Sequence, residues 1–369
     1  MSKTKVAVIG AGHLGRIHAR LLKEIRGAKL VAVADPSPAA HKLIVKEHNV
    51  PIVSDYSKLL EEDIDAVIIA TPTVTHFDIA KQFLEQSIHC LIEKPMTACP
   101  HQARELVDLA TQNDCVLSVG HVEQFNPAIE HAREQVGTPK FFQASRCSGY
   151  TFRSTDIGVV HDLMIHDIEL VNSMVPGKLK DCRANGVSVF GGHEDIAQAR
   201  LEFDCGAVAN LTASRCSFEA VRNFQVFGTG GFAAVDLAKH SVQSVAVPSW
   251  IKQQEVDFES LLPEQRSFVS AELFNQILPK TVTKTPQVNA ILEEQKDWLA
   301  GITKNKPIRN SGQNALEAVE IAAAVIDAIN AHSWETQDVA GVRFSMPASD
   351  HAVPVELRRE SSNEIPKAA

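Results

Sequence analysis

The sequence predicts an α/β protein with two domains and a tail. A doubly wound parallel sheet is expected over residues 1–122, and an α+β domain with a large open-faced, mostly antiparallel sheet over residues 123–335. The first part alternates uninterrupted Val/Ile/Leu runs with helical spacing, which is typical of parallel strands buried on both faces. From about residue 140, shorter strands alternate apolar and polar residues, as in a sheet with one exposed face. Residues 336–369 are polar and proline-punctuated, and predict a C-terminal extension.

The strands of the first domain are predicted where the apolar runs fall. They are KVAVIG (5–10), KLVAVAD (29–35), DAVIIAT (65–71), IHCLIEK (88–94) and CVLSVG (115–120). Helical spacing separates them over 13–25, from about residue 37 to 47, over 75–86 and over 99–112. Such an order of elements favours right-handed strand–helix–strand crossovers in one sheet.

The second domain shows strand periodicity, with helices at its end. In AQARLEF (197–203), Ala199, Leu201 and Phe203 are expected on one face of the sheet, with polar residues on the other. The DCGA that follows is typical of a hairpin turn. Helices are predicted over 288–300 and 314–331. A sheet with one face uncovered by its own helices often meets a second subunit, so we expect a homodimer or homotetramer.

Composition excludes several classes of function. The chain has 369 residues, which are too many for one ordinary hydrophobic core, so two domains are expected. The formal net charge of −9 argues against nucleic acid or an anionic membrane as the main partner. No window reaches the roughly 18 apolar residues of a membrane span, and the first apolar run is a strand rather than a signal peptide. Seven scattered cysteines without C-x-x-C predict reduced thiols, no structural zinc and a cytoplasmic location.

A glycine-rich turn directly follows the first predicted strand. In VAVIGAGHLGRIHA, Gly10, Gly12 and Gly15 have the G-x-G-x-x-G spacing of a dinucleotide-binding turn. Gly10 permits the turn, Gly12 lets backbone amides approach a pyrophosphate, and Gly15 lets helix and strand pack closely. The helix that begins at His13 and Leu14 would present free amides to the phosphates. A plain glycine turn is the alternative.

An acidic residue closes the second strand twenty positions after Gly15. A carboxylate at Asp35 would accept hydrogen bonds from the adenosine ribose and repel a 2′-phosphate. No arginine follows it in PSPAA to neutralise such a phosphate. We therefore expect NAD rather than NADP, although Asp35 before a proline is also an ordinary turn residue.

Three further segments complete a recognisable pattern: ATPTVTH (70–76), EKPMT (93–97) and DLMIH (162–166). Together with the glycine turn, they resemble the glucose–fructose oxidoreductase / inositol dehydrogenase (Gfo/Idh/MocA) family over roughly residues 4–335. The resemblance implies a Rossmann domain followed by an open-faced domain. It also implies an oxidoreductase that transfers hydride from a sugar hydroxyl carbon to a nicotinamide cofactor.

The catalytic residues implied by the resemblance are Lys94, Asp162 and His166. On a helix, Asp162 and His166 lie four residues apart and share a face. Oxidation of a carbinol needs a base near its oxygen, and imidazole suits that task at neutral pH. We expect His166 to be the base, Asp162 to orient it and Lys94 to stabilise negative charge on the oxygen. All three would also contact the substrate. A buried structural pair, or half of a metal site with His161 and Asp167, is the alternative; we expect no metal.

The resemblance also suggests residues that hold the cofactor. Glu93 and Lys94 belong to the E-K-P signature at the end of the fifth strand, and Thr71, Pro72 and His76 resemble the family's loop over the cofactor. His76 is alternatively a histidine that only begins a helix.

The segment GHVEQFNP resembles one in family members that are UDP-N-acetylglucosamine 3-dehydrogenases, with Gln124 in place of an expected arginine. Asn126 and Glu123 are candidates to hold the nicotinamide carboxamide or the sugar. A capping turn before the next helix is the alternative reading of this segment.

A substrate diphosphate would need positively charged partners, and several arginines are candidates. Arg146, Tyr150 and Arg153 follow a strand towards the expected cleft, and Arg215 is a further candidate. Arginine pairs bidentately with phosphate oxygens, but surface arginines are common. The expected activity is thus an NAD-dependent dehydrogenase acting on a nucleotide sugar such as UDP-N-acetylglucosamine. A free polyol dehydrogenase of the inositol type, and a catalytically silent NAD(H)-binding sensor or scaffold, are the alternatives.

Overall fold

The computed structural model describes residues 3–152, 154–190 and 192–332. The predicted substrate residue Arg153 and the predicted extension 336–369 lie outside the described residues. Within the described part of the chain, no helix is both long and apolar enough to cross a membrane.

The N-terminal sheet has six strands, and every neighbouring pair is parallel. They are β1 Thr4–Ile9, β2 Ala28–Ala34, β3 Ile52–Val53, β4 Ala66–Ile69, β5 His89–Ile92 and β6 Leu117–Val119. Their order is β3-β2-β1-β4-β5-β6, so the direction of winding reverses between β1 and β4. The prediction of a doubly wound parallel sheet is confirmed. The two-residue strand β3 was not predicted, because two residues carry no periodicity.

Helices cover both faces of this sheet. They are α1 His13–Leu22, α2 Pro38–His48, α3 His76–Glu85 and α4 Pro100–Gln112. A later helix, α9 Ala290–Lys304, packs against α1, and the fully buried indole of Trp298 donates a hydrogen bond to Val116 O at 3.3 Å. The C-terminal part of the described chain therefore returns to the first sheet and completes its core.

The second sheet has eight strands in the order β14-β13-β12-β11-β7-β10-β9-β8. They are β7 Pro139–Cys147, β8 Leu179–Val187, β9 Ile196–Phe203, β10 Val208–Ser214, β11 Val221–Gly228, β12 Gly231–Asp236, β13 Ser241–Ala246 and β14 Lys280–Lys284. Only β7 and β10 pair in parallel; the other neighbours are antiparallel. The α+β prediction is confirmed.

The predicted alternation in β9 is confirmed. Ala199, Leu201 and Phe203 are buried, whereas Gln198 and Arg200 are exposed. The predicted hairpin between β9 and β10 also forms. Phe203 N donates to Ala207 O at 2.9 Å, and Gly206 has a φ of 79°, which favours glycine.

Three helices cover one face of the second sheet. Helices α5 Pro127–Val136 and α6 Ile165–Met174 pack on it together with α10 Gly312–Ala331. On the opposite face the rings of Phe141, Phe227 and Phe232 pack against one another, and Phe227 is 37% exposed. Between β13 and β14 lie α7 Ser249–Lys252, α8 Pro263–Ala271 and a π-helical turn, Leu273–Ile277.

Candidate active site

The site begins at the carboxyl edge of the parallel sheet. Parallel strands end at the same edge, so the residues that follow β1, β4, β5 and β6 meet there, beside the point where the winding reverses. The residues after these strands are Gly10, Ala70, Glu93 and Gly120. This edge faces helix α6 of the second domain, because Lys94 from one domain bonds Asp162 from the other.

The glycine turn is shaped by close backbone approaches. Gly10 has a φ of 93°, and a Cβ there would lie 2.4 Å from Ala70 O. A Cβ on Gly15 would lie 1.8 Å from Gly10 O. By contrast, a Cβ on Gly12 would meet nothing within 4 Å, so the chain leaves open space there. Gly12 is the N-cap of α1, which begins at His13 without a side-chain cap, so its first amides are available to an anion.

Asp35 lies directly beside this turn. Its Oδ2 accepts a hydrogen bond from Ala11 N at 2.7 Å and its Oδ1 accepts one from Ser37 N at 2.8 Å. Each carboxylate oxygen has a second lone pair, so both can still accept from a ribose hydroxyl. A cavity of about 380 Å³ opens between Asp35, the glycine turn and the Thr71–Pro72 segment. Its size and its mostly apolar lining, with Asp35 at one side, fit an adenosine.

The loop after β4 is fixed by internal hydrogen bonds. Thr75 Oγ1 donates within the loop, to Thr71 Oγ1 or to Pro72 O. His76 is the first residue of α3 and is buried, with its Nδ1 2.9 Å from Pro95 O and its Nε2 2.9 Å from Thr71 O. Both ring nitrogens therefore face backbone carbonyls. The structure places Thr71 and Pro72 on the cavity, whereas His76 joins two loops; a contact between His76 and the cofactor stays a prediction.

Glu93 is also held inside the protein. His18 Nδ1 lies 2.8 Å from the Gln295 amide nitrogen and accepts from it, so His18 Nε2 carries the proton and donates to Glu93 Oε1 at 2.9 Å. Burial alone would raise the pKa of Glu93, but the hydrogen bond from His18, the positive charge of Lys94 and the Lys94 amide outweigh burial, and the pKa is lowered. Glu93 thus positions the end of β5. Its Oε1 is engaged by His18, and a direct contact between Glu93 and the cofactor stays a prediction.

Lys94 links the two domains. Its Nζ donates to Asp162 O at 2.7 Å and to Asp162 Oδ1 at 3.0 Å, and less than a fifth of either side chain is exposed. The expected hydrogen bond between Asp162 and His166 is absent, although both residues are described. Residues Val160–Met164 form a π-helical turn before α6 begins at Ile165, and this wider turn directs Asp162 to Lys94. The prediction that Asp162 orients His166 is therefore wrong.

His166 lies one residue inside α6 and is partly buried. Its Nδ1 has no hydrogen-bond partner among the described residues. Burial, and next the positive charge of Lys94, lowers the pKa of His166 well below its ordinary value. The ring is consequently neutral at physiological pH and can accept a proton.

Sequence reasoning missed His121, which is 2% exposed beside these groups. Burial, and next the Lys94 charge, lowers its pKa to about 3, and neither ring nitrogen has a hydrogen-bond partner in the described chain. His121 belongs to the GHVEQFNP segment, but its spacing from other residues does not indicate a functional role. Ser54, Tyr56 and Ile79, which line the adenosine-sized cavity, were also missed. Ser54 and Tyr56 follow the two-residue strand β3, which has no periodicity, and Ile79 is one of several apolar residues of α3.

Arg146 does not face the cleft with a free guanidinium. Its Nε and Nη2 donate to both carboxylate oxygens of Asp167, and its Nη1 donates to Glu123 Oε1 at 3.0 Å. Arg146 is 5% exposed and neutralises two carboxylates, that of the buried Asp167 and that of the partly buried Glu123. The expectation that Arg146 receives a diphosphate is wrong. Glu123 is likewise engaged, since its Oε2 accepts from Asn126 Nδ2 at 3.3 Å.

Asn126 and Gln124 have structural partners. Asn126 is the N-cap of α5, and its Oδ1 accepts from Ala128 N at 3.0 Å, in accord with the capping-turn alternative. Asn126 Nδ2 donates one hydrogen to Glu123 and has a second N–H, so a contact of Asn126 with the cofactor stays a prediction. Gln124, where an arginine was expected, donates to Glu169 Oε1 at 2.6 Å. Burial raises the pKa of Glu169 to about 8.

Arg215 is buried too, and cannot join a basic patch as expected. Its Nε donates to Asp195 Oδ1 at 2.7 Å, and its Nη1 donates to Ile157 O at 2.9 Å. The guanidinium lies over the ring of Tyr150, 5.4 Å from its centroid. Tyr150 itself is partly exposed beside two other aromatic rings. In the described ranges, no group of three or more His, Cys, Asp or Glu residues is arranged to hold a metal ion.

This strand order, with a glycine turn where the winding reverses and an acid that closes β2, is that of a dinucleotide-binding Rossmann domain. Residues 4–121 match the model of the oxidoreductase family with an NAD-binding Rossmann fold, and residues 128–234 match the C-terminal domain model of the same family. The chain belongs to the Gfo/Idh/MocA family, whose relatives are sugar dehydrogenases and other oxidoreductases. The resemblance seen in the sequence is confirmed.

Individual relatives differ in substrate. The chain is 36% identical to UDP-N-acetylglucosamine 3-dehydrogenase of Acidithiobacillus ferrooxidans over 243 residues, which is 66% of this chain and 77% of that protein. The solved structure of that enzyme superposes with a TM-score of 0.77 and 30% identity, over 90% of this chain and 99% of that one. scyllo-Inositol 2-dehydrogenase (NAD(+)) of Bacillus subtilis is 27% identical over 257 residues, 64% of this chain and 75% of that protein.

Proposed function

We propose that this protein oxidises a hydroxyl of a nucleotide sugar with NAD, and that UDP-N-acetylglucosamine oxidised at C3 is the substrate. The observation that carries the proposal is the Lys94–Asp162–His166 group, which lies between the two domains at the edge that carries the dinucleotide turn. The substrate is inferred from the 36% identity to an enzyme of that specificity over 77% of its length.

The residues present fit NAD. Gly10 and Gly15 are enclosed by backbone, the N-terminus of α1 is uncapped by any side chain, and Asp35 retains acceptor capacity beside the cavity. When bound, the nicotinamide accepts the hydride from the carbinol carbon. No arginine is near Asp35 in the sequence to balance a 2′-phosphate, which favours NAD over NADP.

The proposed chemistry uses three side chains. His166 is neutral, so a ring nitrogen takes the proton of the reacting hydroxyl. Lys94 stabilises the negative charge that develops on the oxygen as this proton leaves. Asp162 holds the Lys94 ammonium in place through its carboxylate and its carbonyl, which replaces the orienting role first expected for it.

A free polyol is the second candidate substrate. It is favoured by one observation. Arg146 and Arg215 each form an ion pair with a buried carboxylate, so neither supplies a cation for a diphosphate. The experiment that decides is the formation of NADH with a panel of UDP-sugars, myo-inositol and glucose. Fastest turnover of UDP-N-acetylglucosamine supports the proposal, and equal or faster turnover of myo-inositol or glucose refutes it.

We also propose the assembly and location of the protein. The sheet face with Phe141, Phe227 and Phe232 has no helix of this chain on it among the described residues, which supports association into a homodimer or homotetramer through that face. A cytoplasmic location, a domain boundary at residues 122–123 and a C-terminal extension from residue 336 complete the proposal.

A further inference from the structure

Three aromatic rings meet at the surface beside the catalytic helix. The ring of Tyr150 lies 4.9 Å from that of Phe152, at 89°, and 4.2 Å from that of Phe190, at 47°. Phe152 is 82% exposed and Phe190 is 60% exposed. We call these three residues the aromatic cluster. Single exposed apolar side chains are common on proteins, but exposed rings gathered from two separate loops are not.

The aromatic cluster is held by a buried ion pair. Asp195 Oδ2 accepts hydrogen bonds from Val189 N and Phe190 N at 2.7 and 2.8 Å, which fixes the loop that carries Phe190. Its Oδ1 accepts from Arg215, whose guanidinium lies over Tyr150 and donates to Ile157 O. Asp195 is fully buried. Phe190 and Tyr150 therefore rest on a buried, hydrogen-bonded ion pair, and the ring of Phe152 packs against that of Tyr150.

The residue next to Asp195 also fixes the segment that carries Asp162. Glu194, next to Asp195, accepts from Val160 N through its Oε1 at 3.0 Å and from Val159 N through its carbonyl at 2.9 Å. These amides begin the π-helical turn that carries Asp162. Two adjacent residues, Glu194 and Asp195, therefore hold both the segment that carries Asp162 and the loop that carries Phe190, which keeps the aromatic cluster close in the fold to the candidate site.

We propose that the aromatic cluster is the stacking platform for the nucleobase of the substrate, with Phe152 and Phe190 as its contact rings. This rests on the proposed function, because only a nucleotide sugar carries a base. A planar base gains stacking and excludes water when it packs on aromatic side chains, and uracil needs no cation to do so. Phe152 also has a φ of 55°, a strained conformation that is typical of functional sites.

A protein partner fits this patch less well. Stable protein interfaces bury roughly 800 Å² on each side, far more than two phenylalanine rings offer. Beneath the rings, Asp195 and Arg215 form a buried ion pair with each other, so neither offers a charge to a partner's side chain. The platform would add affinity for the base at a point where the buried arginines add none.

The test compares the wild type with Phe152→Ala, Phe190→Ala, the stacking-competent Phe190→Tyr, and the control Phe268→Ala. Phe268 lies on α8 and is 51% exposed, and so matches the size and exposure of the lost rings at a remote position. Calorimetry measures the binding of UDP to the NAD-loaded protein. Steady-state kinetics measures kcat/KM for UDP-N-acetylglucosamine and for N-acetylglucosamine 1-phosphate, which lacks the base.

We expect each alanine variant to weaken UDP binding by about 5- to 100-fold, the range for one base–aromatic contact. The preference for UDP-N-acetylglucosamine over the sugar phosphate should fall by the same factor, while Phe190→Tyr and Phe268→Ala stay within about twofold of the wild type. Unchanged UDP binding in both alanine variants, with a wild type that oxidises UDP-N-acetylglucosamine, overturns the platform alone. A wild type that neither binds UDP nor oxidises the UDP-sugar overturns the proposed function with it. Loss of oligomer in the alanine variants, with UDP binding intact, assigns the rings to a subunit interface instead.

Discussion

Replacing Lys94 by methionine should separate its role in catalysis from its role in holding the domains together. The ammonium donates at 2.7 and 3.0 Å to Asp162, whose side chain is 18% exposed. Methionine keeps the apolar stem but leaves the Asp162 carboxylate without its cation. An unsatisfied buried group costs about 1–3 kcal/mol of stability, and partial exposure places this one in the lower half of that range.

The loss of kcat in Lys94→Met should exceed the loss of stability, and the double variant described below should not recover it. Removal of a charge that stabilises the reacting oxygen lowers kcat by roughly 10²- to 10³-fold. In the double variant Lys94→Met/Asp162→Asn the stranded charge is gone, so the free energy of unfolding should return to within about 0.5 kcal/mol of the wild type. Its kcat should stay as low as that of Lys94→Met.

The assay is urea unfolding followed by circular dichroism, together with NADH formation under saturating substrate. Asp162→Asn alone serves as the matched control, because it keeps the lysine. The reasoning is refuted if the double variant recovers activity along with stability, since Lys94 would then act only as a structural partner of Asp162. A kcat for Lys94→Met within threefold of the wild type would refute it equally.

Three further predictions follow from the site. For Asp35→Asn, the ratio of NAD to NADP affinity should shrink by about tenfold or more, because the repulsion of a 2′-phosphate is lost; fluorescence titration with both cofactors measures it, and an unchanged ratio removes the role given to Asp35. The pKa of His166 is lowered by burial, so kcat/KM should stay level as pH falls through 6.5, the ordinary value, and decline only below it; a decline centred at or above 6.5 contradicts a neutral buried base. For Arg146→Met, two carboxylates lose their shared cation and unfolding should become easier by about 3–5 kcal/mol; a chemical denaturation midpoint close to that of the wild type shows that Asp167 and Glu123 do not depend on it.

Local patterns in the sequence decided the cofactor side of the protein. The glycine turn and Asp35 lie at the ends of β1 and β2 as expected, because their positions follow from backbone geometry within one strand–turn–helix unit. Alternating burial in β9 was likewise predictable, since side chains of a strand point to opposite faces in turn. Such features need no knowledge of distant residues.

Tertiary structure decided the partners of the charged side chains. Arg146 pairs with residues 21 and 23 positions away, and Arg215 with one 20 positions away, and nothing in the sequence distinguishes these arginines from ones that face a ligand. Burial makes the difference, because a buried carboxylate must find a cation or pay a large desolvation cost. The folded chain therefore used both cations internally.

Residues 162–166 show the same division. Its sequence marked Asp162 and His166 as a chemical pair, because an acid and an imidazole stand in an otherwise apolar segment. Only the folded chain shows that Val160–Met164 adopt a π-helical turn, and that Asp162 bonds a lysine from the other domain. A sequence pattern of this kind is interpreted with the ordinary helical period of 3.6 residues. The wider turn, by contrast, is contacted by Glu194 at its start and by Lys94 at its side, and only the folded sheets bring these two residues there.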